Sequence, residues 1–268
     1  MSTDPLLQAL ERIDAPVHMF VRDDDAGEFW SPQPGPVGAG AYEVAHGFGY
    51  TRWRHESHDV AHEVVVFVPV DDPVRVVSVR LTNVGTRRRR LSVASYARLV
   101  LGVEPGTTVV TAREPSSRLV LAQNPAAGVF ASGLTFAAAV APDDVTCSLT
   151  ADRAAFIGRG GSPARPAALC AGGALDGQAG EGLDACAAFV LPVTLGPGAT
   201  FECAFLLGEL TEAGALQPLW ERWQEPGTVD RALAALSVEW RSVLGAVEVE
   251  TPSPALRMPW FRIAWVDR

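Results

Sequence analysis

Apolar and polar positions alternate in short runs along most of the chain, from about residue 16 to residue 210. Runs such as AHEVVVFVPV (61–70) and VRVVSVRLTN (74–83) are rich in β-branched residues and are separated by Gly, Pro, Asp and Asn. Alternation with a period of two is typical of strands that bury one face. Because no helical pattern intervenes, the spacing predicts a mainly β fold with antiparallel strands stacked as a large two-sheet sandwich.

Two connections carry turn signals. Gly-Pro-Gly (196–198) separates AAFVLPVTL (187–195) from ATFECAFLLGEL (199–210), which predicts a hairpin. Residues 83–86 (NVGT) predict another turn between strands, so we expect Arg87–Arg90 to line a solvated hairpin. An anion site at these arginines is the less favoured alternative.

The stretch VRDDDAGEFWSP (21–32) places three aspartates beside an Ala-Gly pair, between two β-prone runs. A calcium loop of the EF-hand type needs acids at alternate positions, then Gly, then a distant Glu. Asp23 and Asp25 match the first two ligands, but Gly27 occupies the next alternate position and no Glu follows at the required distance. Aspartate accepts hydrogen bonds from turn amides and glycine adopts positive φ, so the favoured prediction is a hairpin turn.

After residue 210 the apolar positions change to helical spacing. Residues 212–224 and 229–244 each predict an amphipathic helix, and Thr228 is placed to cap the second one. Three tryptophans lie on these helices: Trp220, Trp223 and Trp240. They either pack on the flank of the sandwich itself or form an interface to another unit.

Composition limits the possible partners and the location. The net charge is −9 and every basic residue is Arg, which argues against nucleic acid or an acidic membrane surface as the main partner. No apolar run approaches the roughly 20 residues of a membrane span. The start, MSTDPLLQALERID, lacks the basic and apolar segments of a signal peptide. We therefore expect no membrane segment and a cytoplasmic location.

The four cysteines are widely spaced and include no C-x-x-C pair: Cys147, Cys170, Cys186 and Cys203. Metal sites use close cysteine pairs, and disulfide scaffolds are small and dense in cysteine. We therefore expect buried free thiols, without a metal and without a cysteine nucleophile.

The histidines are the other candidates for metal binding, since HESHDVAHE (55–63) contains three of them. A zincin helix needs His-Glu-x-x-His, and Asp59 stands where its second histidine is required. Residues 60–68 predict a strand, with His58 and His62 on one face, so structural histidines are favoured. The alternative is a zinc hydrolase built on three residues: His55, His58 and His62. The sequence contains no recognisable acid/base pair, nucleophile elbow or phosphate loop, so we predict no catalytic residue and no cofactor.

The segment FIGRGGSPARPAAL (156–169) predicts a long loop between β regions, with Gly and Pro residues framing Arg159 and Arg165. Such framed loops concentrate binding residues, and Arg suits bidentate contact with phosphate or sugar hydroxyls. The alternative is an exposed loop whose arginines only interact with solvent.

Five segments in order resemble one family, glycoside hydrolase family 94. They are RDDDAGEFWSP (22–32), GAGAYEVAHGFGYTRWRHES (38–57), FVPVDDPVRVVSVRLTN (67–83), the 156–169 loop and LGPGATFECAFLLGE (195–209). The family comprises cellobiose and chitobiose phosphorylases and the phosphorylase-like end of cyclic β-1,2-glucan synthases. The five segments are most similar to those of the glucan synthases. The resemblance implies a galactose-mutarotase-like supersandwich with C-terminal linker helices.

The resemblance also implies a division of the chain. It consists of a lead-in (1–15), the supersandwich (16–210), a helical linker (211–255) and an atypical tail (256–268), where the (α/α)6 catalytic barrel of the family would begin. We expect the chain to be a truncated or frameshifted product that lacks this barrel.

For function, the resemblance implies inverting phosphorolysis of a β-glucoside, for which one carboxylic acid protonates the leaving oxygen while phosphate attacks the opposite face. In the family that acid belongs to the barrel, so we expect a non-catalytic, carbohydrate-associated module. Its partners would be a β-glucan or oligosaccharide and phosphate in the parent enzyme, which can be tethered to the inner membrane, and a second copy or the barrel. Arg159 and Arg165 would contact substrate. A free-standing glucan-binding or dimerisation module is the second hypothesis.

Overall fold

The computed structural model describes residues 17–38, 40–102, 108–113, 118–128 and 131–245. These ranges contain thirteen strands. Their bounds are β1 His18–Asp23, β2 Phe29–Trp30, β3 Glu43–Gly47, β4 Tyr50–Ser57, β5 Val60–Phe67, β6 Val74–Asn83, β7 Arg89–Arg98, β8 Val110–Arg113, β9 Leu119–Gln123, β10 Leu134–Val140, β11 Ser148–Asp152, β12 Ala185–Leu195 and β13 Thr200–Leu210.

The strands form two antiparallel sheets. The smaller sheet has the order β11-β12-β7-β1-β2, and the larger has the order β3-β4-β5-β6-β13-β10-β9-β8. Alternate side chains of both sheets meet between them, among them Val21 and Leu91 from the smaller sheet and Val79 and Phe205 from the larger. The predicted mainly β, two-sheet supersandwich is confirmed.

Short helices precede β12 and longer ones follow β13. Their bounds are α1 Arg153–Phe156, α2 Ala167–Cys170, α3 Leu216–Gln224 and α4 Thr228–Gly245, with a 3₁₀ turn at Ala213–Ala215. Helices α3 and α4 pack on the outer face of the larger sheet, and the segment from α1 to α2 packs on the outer face of the smaller sheet. Each sheet therefore buries its outer face in part as well as its inner face.

The Gly-Pro-Gly hairpin prediction is wrong, although both of its strands exist. β12 pairs with β7 in the smaller sheet, and β13 pairs with β6 in the larger sheet, so residues 196–199 cross from one sheet to the other. The connection from β6 to β7 makes the same crossing beside it. An alternating strand pattern and a tight turn are compatible with either outcome, because neither specifies which neighbour a strand pairs with.

Asn83 explains why the two crossings lie together. Its buried side chain donates from Nδ2 to the carbonyl oxygens of Arg87 (2.8 Å) and Leu195 (3.1 Å). Its backbone amide donates to the carbonyl of Ala199, and its own carbonyl accepts from Gly198. One side chain therefore satisfies backbone carbonyls of both crossings, including the buried carbonyl of Leu195.

The expectation that Arg87–Arg90 lines a solvated hairpin is wrong, because β6 and β7 belong to different sheets and Arg89 is buried. The Arg89 side chain is 3% exposed and its Nη2 lies 2.8 Å from Oδ2 of Asp23. Its Nη1 also donates to the carbonyl of His58. This guanidinium therefore joins the β1 end of the smaller sheet to the β4–β5 turn of the larger one.

The hairpin prediction for the acidic stretch is confirmed. β1 and β2 pair antiparallel, with Val21 opposite Trp30. The Asp23 carboxylate accepts from the amides of Asp25 (2.9 Å) and Ala26 (3.0 Å), and Gly27 has φ of 74°. These are the roles that aspartate and glycine play in turns.

In the part of the chain that the structure describes, no helix is long and apolar enough to cross a membrane. The four-part division of the chain stays a prediction. Its lead-in (1–15), its tail (256–268) and the end of its linker after residue 245 lie outside the described residues.

Candidate functional site

The candidate site is the segment between β11 and β12, which carries Arg159 and Arg165. It is less irregular than predicted, since the one-turn helices α1 and α2 flank a loop at 157–166. The Asp152 carboxylate accepts from the amide of Ala154 at 2.9 Å and caps α1. Buried Phe156 and Leu169 anchor both ends of the loop on Phe20 of the smaller sheet.

The glycines of this loop have structural roles. Gly158 and Gly160 have φ of 94° and 66°, a conformation that side chains with a Cβ rarely adopt. A Cβ on Gly161 would lie 2.2 Å from the carbonyl oxygen of Ile157. Hydrogen bonds within the loop run from Gly161 to Gly158 and from Ala167 to Ile157. The loop is therefore a compact, hydrogen-bonded feature of the surface.

Arg159 and Arg165 are both exposed on this loop. Neither guanidinium forms a hydrogen bond or ion pair with another residue that the structure describes, in contrast to Arg153 beside them, which contacts Gly161 and Asp184. Both guanidiniums therefore lack an acidic partner among the described residues. Their donors are available for oxyanions or hydroxyl groups of a ligand.

The three tryptophans of the predicted interface differ in their surroundings. Trp220 and Trp223 are 8% and 1% exposed and pack in a cluster with Phe67, Val76 and other residues of the larger sheet. Trp223 Nε1 donates to Asp72 at 3.0 Å. Trp220 and Trp223 therefore pack on the flank of the sandwich itself, which is the first of the two alternatives. The prediction of an interface to another unit now depends on Trp240.

Trp240 remains 37% exposed, on the second half of α4. Its ring lies 6.3 Å from that of Phe48, at the tip of the β3–β4 hairpin. It lines an open groove of about 780 Å³ together with exposed Val68, Val70 and Val243. An apolar groove of this kind is typical of a contact surface.

The loop at 157–166 and the groove at Trp240 lie on opposite sides of the sandwich. The loop packs on the outer face of the smaller sheet, whereas α4 packs on the outer face of the larger sheet. The sequence could not show this, because it depends on which sheet each strand joins. A unit that covers the groove would therefore approach the domain from the side away from Arg159 and Arg165.

His55 and His62 are buried in an aromatic cluster with Trp30, and the exposed His58 stacks on this tryptophan. Trp30 Nε1 donates to His62 Nε2 at 2.9 Å, and His62 Nδ1 lies 3.2 Å from the carbonyl oxygen of His55. The ring of Trp30 stacks on His58 with centroids 4.0 Å apart. The expected position of His58 on the strand face is wrong, because His58 and Asp59 have φ of 54° and 57° and form the two-residue β4–β5 turn.

This geometry does not suit a metal. Both ring nitrogens of His62 are engaged, so it has no lone pair for zinc. Among the described residues, no group of three His, Cys, Asp or Glu side chains lies close enough together to hold a metal ion. His55 and His62 are also more buried than the predicted, partly exposed histidines.

Burial of His62 predicts acid sensitivity. Burial, helped by the nearby His55 and His58, lowers the pKa of His62 from 6.5 to about 4. The unfolded chain binds a proton there below pH 6.5 and the folded chain does not, so the free energy of unfolding falls as pH drops towards 4. Between pH 7 and pH 5 we expect this residue to account for a loss of about 2 kcal/mol.

Urea denaturation at several pH values tests this expectation. We compare the unfolding free energies of the wild type and of His62→Gln at each pH. The wild type should lose about 2 kcal/mol relative to the variant between pH 7 and pH 5. His46→Gln, at an exposed histidine on β3, is the matched control and should show no such change. A constant difference for His62→Gln would contradict a neutral, buried His62.

The prediction of four buried free thiols is correct for the free state but only partly correct for burial. All four are free, but only Cys186 and Cys203 are buried, while Cys147 is half-buried and Cys170 is exposed. Burial raises the pKa of Cys147 to about 11 and raises the pKa values of Cys186 and Cys203 further. These three thiols stay protonated near neutral pH and are poor nucleophiles.

Comparison with known proteins identifies the family. Residues 14–226 match the model of the glycosyl hydrolase 94 supersandwich domain. The chain belongs to this family. It is 28% identical over 242 residues to cyclic β-(1,2)-glucan synthase NdvB of Rhizobium meliloti (strain 1021), covering 88% of this chain and 8% of the relative. It is 25% identical over 266 residues to N,N′-diacetylchitobiose phosphorylase of Vibrio furnissii, covering 91% of this chain and 31% of the relative.

The family 94 chain therefore spans less than a third of the length of either relative. Among solved structures, a bacterial glucoamylase complexed with acarbose matches with a TM-score of 0.56 and 9% identity, covering 87% of this chain and 32% of that one. At this identity the likeness shows the fold alone. The resemblance to family 94 found in the sequence is confirmed.

Proposed function

We propose that this chain is a non-catalytic scaffold of a family 94 enzyme, either an inverting β-glucoside phosphorylase or a cyclic β-1,2-glucan synthase. It holds part of the substrate at Arg159 and Arg165 and docks on the catalytic barrel. Its membership of the family and its similarity to a glucan synthase and to phosphorylases support this proposal. The general acid of the reaction belongs to the barrel and not to the supersandwich.

The observation that carries the proposal is the pair of exposed guanidiniums on the loop at 157–166. Arg159 and Arg165 lack ionic partners among the described residues, and the loop that bears them is held in place by backbone hydrogen bonds. A planar guanidinium binds phosphate oxygens or neighbouring sugar hydroxyls with two parallel hydrogen bonds. An oligosaccharide and inorganic phosphate, the substrates of phosphorolysis, offer both kinds of group.

The groove at Trp240 supports the docking part of the proposal. It combines an exposed indole with three exposed valines, and monomeric proteins rarely expose large apolar side chains in one contiguous patch. The barrel of the parent enzyme is the partner that we assign to it. Because the loop of Arg159 and Arg165 faces the other way, the substrate that the loop contacts would then lie in the barrel of a second copy. The same groove favours the second candidate function, a dimerisation module, in which another copy of this chain covers it.

Titration of the purified chain with β-1,2-linked gluco-oligosaccharides, with and without inorganic phosphate, tests the assignment of the loop. We expect heat release and chemical-shift changes at millimolar ligand. Replacing both arginines (Arg159→Ala, Arg165→Ala) should weaken binding at least tenfold, because a hydrogen bond to a charged group contributes about 1.5–3 kcal/mol. Arg88→Ala, at an exposed arginine outside the loop, is the matched control and should bind like the wild type.

Two outcomes would contradict the proposal. Absence of any heat or shift change up to millimolar sugar, in the presence of phosphate, would remove the binding role. Release of glucose 1-phosphate by the chain alone from the same oligosaccharides and phosphate would refute its non-catalytic character.

A further inference from the structure

We infer that Arg22 and Arg153 are positioning residues that hold the loop of Arg159 and Arg165 in its solvent-facing arrangement. The inference rests on the proposed function. Nη2 of Arg153 donates to the carbonyl of Gly161 at 3.0 Å, in the middle of the loop. Nε of Arg22 donates to the carbonyl of Leu169 at 2.8 Å, in the helix that closes it.

Arg22 is itself held by the acidic turn. Its side chain is 9% exposed, and its Nη1 lies 2.5 Å from Oδ1 of Asp24. The Asp24 carboxylate also accepts from the hydroxyl of Ser92 on β7 at 2.9 Å. Residues of the smaller sheet therefore fix the guanidinium that reaches the loop, although 147 positions separate Arg22 from Leu169. This gives the VRDDDAG stretch a role beyond its turn.

Arg153 is held in a similar way from the other side. Its Nε lies 3.9 Å from Oδ2 of Asp184, and that carboxylate accepts from Nη2 of Arg98 on β7 at 3.0 Å. Gly161, its partner, approaches the Ile157 carbonyl so closely that a Cβ would clash. The contact from Arg153 therefore stabilises a backbone turn that depends on glycine.

The consequence for binding is pre-organisation. A loop fixed at both Gly161 and Leu169 presents Arg159 and Arg165 without ordering its backbone when ligand arrives, and this avoids an entropic penalty. Arg22 and Arg153 use their own donors on carbonyls and carboxylates. Their effect on ligand therefore passes through the two exposed arginines.

Hydrogen exchange and ligand titration of Arg153→Met test the inference. Methionine keeps the apolar length of the side chain but has no donor for Gly161. We expect the amides of Gly158, Gly161 and Arg165, which are hydrogen-bonded within this segment, to exchange at least tenfold faster, with the strands unchanged. Affinity for gluco-oligosaccharide with phosphate should fall about three- to tenfold.

Three comparisons separate positioning from a general loss of structure. Arg153→Lys, which retains one cationic donor, should restore part of the affinity. Adding Arg153→Met to the double variant Arg159→Ala, Arg165→Ala should weaken binding no further, because the residues through which it acts are gone. Arg88→Met should leave both exchange and affinity unchanged. If Arg153→Met folds poorly, Gly161→Ala disturbs the same contact from the loop side and should give the same pattern.

Unchanged exchange of the loop amides in Arg153→Met and Gly161→Ala would overturn the inference. So would wild-type affinity in Arg153→Met when the double arginine variant has lost binding. If the double arginine variant binds like the wild type, the proposed function fails instead. Faster exchange confined to the loop then still supports positioning of the loop, and unchanged exchange still refutes it.

Discussion

Replacing Trp223 by alanine is expected to lower the free energy of unfolding by about 3–5 kcal/mol, the range for removing a large aromatic side chain from a core. Trp223 is 1% exposed, in the cluster that joins α3 to the outer face of the larger sheet. The substitution also leaves Asp72 without the indole donor at 3.0 Å. Urea denaturation followed by circular dichroism measures the loss.

Trp240→Ala is the matched control for this prediction. Trp240 is on the neighbouring helix and is 37% exposed, so its removal should lower the unfolding free energy by about 1 kcal/mol or less. Equal losses for the two variants would mean that α3 and α4 do not pack on the sheet as the structure shows. A large effect at Trp223 alone leaves Trp240 available for an external partner.

Asp23→Ala is expected to destabilise the chain by about 3–5 kcal/mol, because it removes the buried carboxylate beside the Arg89 cation and leaves only that of Asp59, which is 3.6 Å away and 65% exposed. The side chains of Asp23 and Arg89 are 4% and 3% exposed and lie 2.8 Å apart. The same substitution leaves the amides of Asp25 and Ala26 without the carboxylate oxygen that accepts their hydrogen bonds. Chemical denaturation at neutral pH measures the difference.

Asp25→Ala, in the same turn, is the control. Asp25 pairs with Arg90 on the surface, where both side chains are about half exposed or more, so solvent screens the pair and the expected loss is much smaller than for Asp23→Ala. If Asp23→Ala is no more harmful than Asp25→Ala, the pair between Asp23 and Arg89 does not stabilise the junction of the sheets.

The Asp23 pair also has a pH signature. Burial by itself raises the pKa of Asp23, but hydrogen bonds from the amides of Ala26 and Asp25 and from Arg89 outweigh it and hold the pKa below its ordinary value. The stabilisation is therefore fully present above the ordinary pKa of about 4. It is lost as pH falls through the lower, folded-state pKa. This window lies on the acidic side of the one expected for His62.

Local patterns along the chain predicted most of the elements correctly. The run at 74–83 is a strand with alternating burial, and the helical spacing at 229–244 corresponds to α4. The Asp-Ala-Gly turn is also local, since the carboxylate of Asp23 reaches amides two and three positions away. Contacts of this range depend on side-chain chemistry and backbone conformation at neighbouring positions, which a sequence displays directly.

Long-range contacts explain the predictions that are wrong. Gly-Pro-Gly joins β12 to β13 across the sandwich because each strand pairs with a different distant neighbour, β7 or β6. Arg89 is buried where its guanidinium donates to the carboxylate of Asp23, 66 positions away. His58 leaves the strand face because β4 and β5 pair with His55 opposite His62. None of these partners can be read from the residues next to each position.

For the candidate site, the sequence alone predicted the loop residues Arg159 and Arg165 and the helices with their tryptophans, and it identified the membership of family 94. These depend on local composition and on ordered motifs. Only the tertiary structure decided that the loop and Trp240 lie on opposite faces, that Trp220 and Trp223 are buried, and that Arg22 and Arg153 donate to carbonyls of the loop and of α2. The physical reason is that burial and hydrogen bonding are properties of pairs of groups. Those pairs form only when strands far apart in the chain come together.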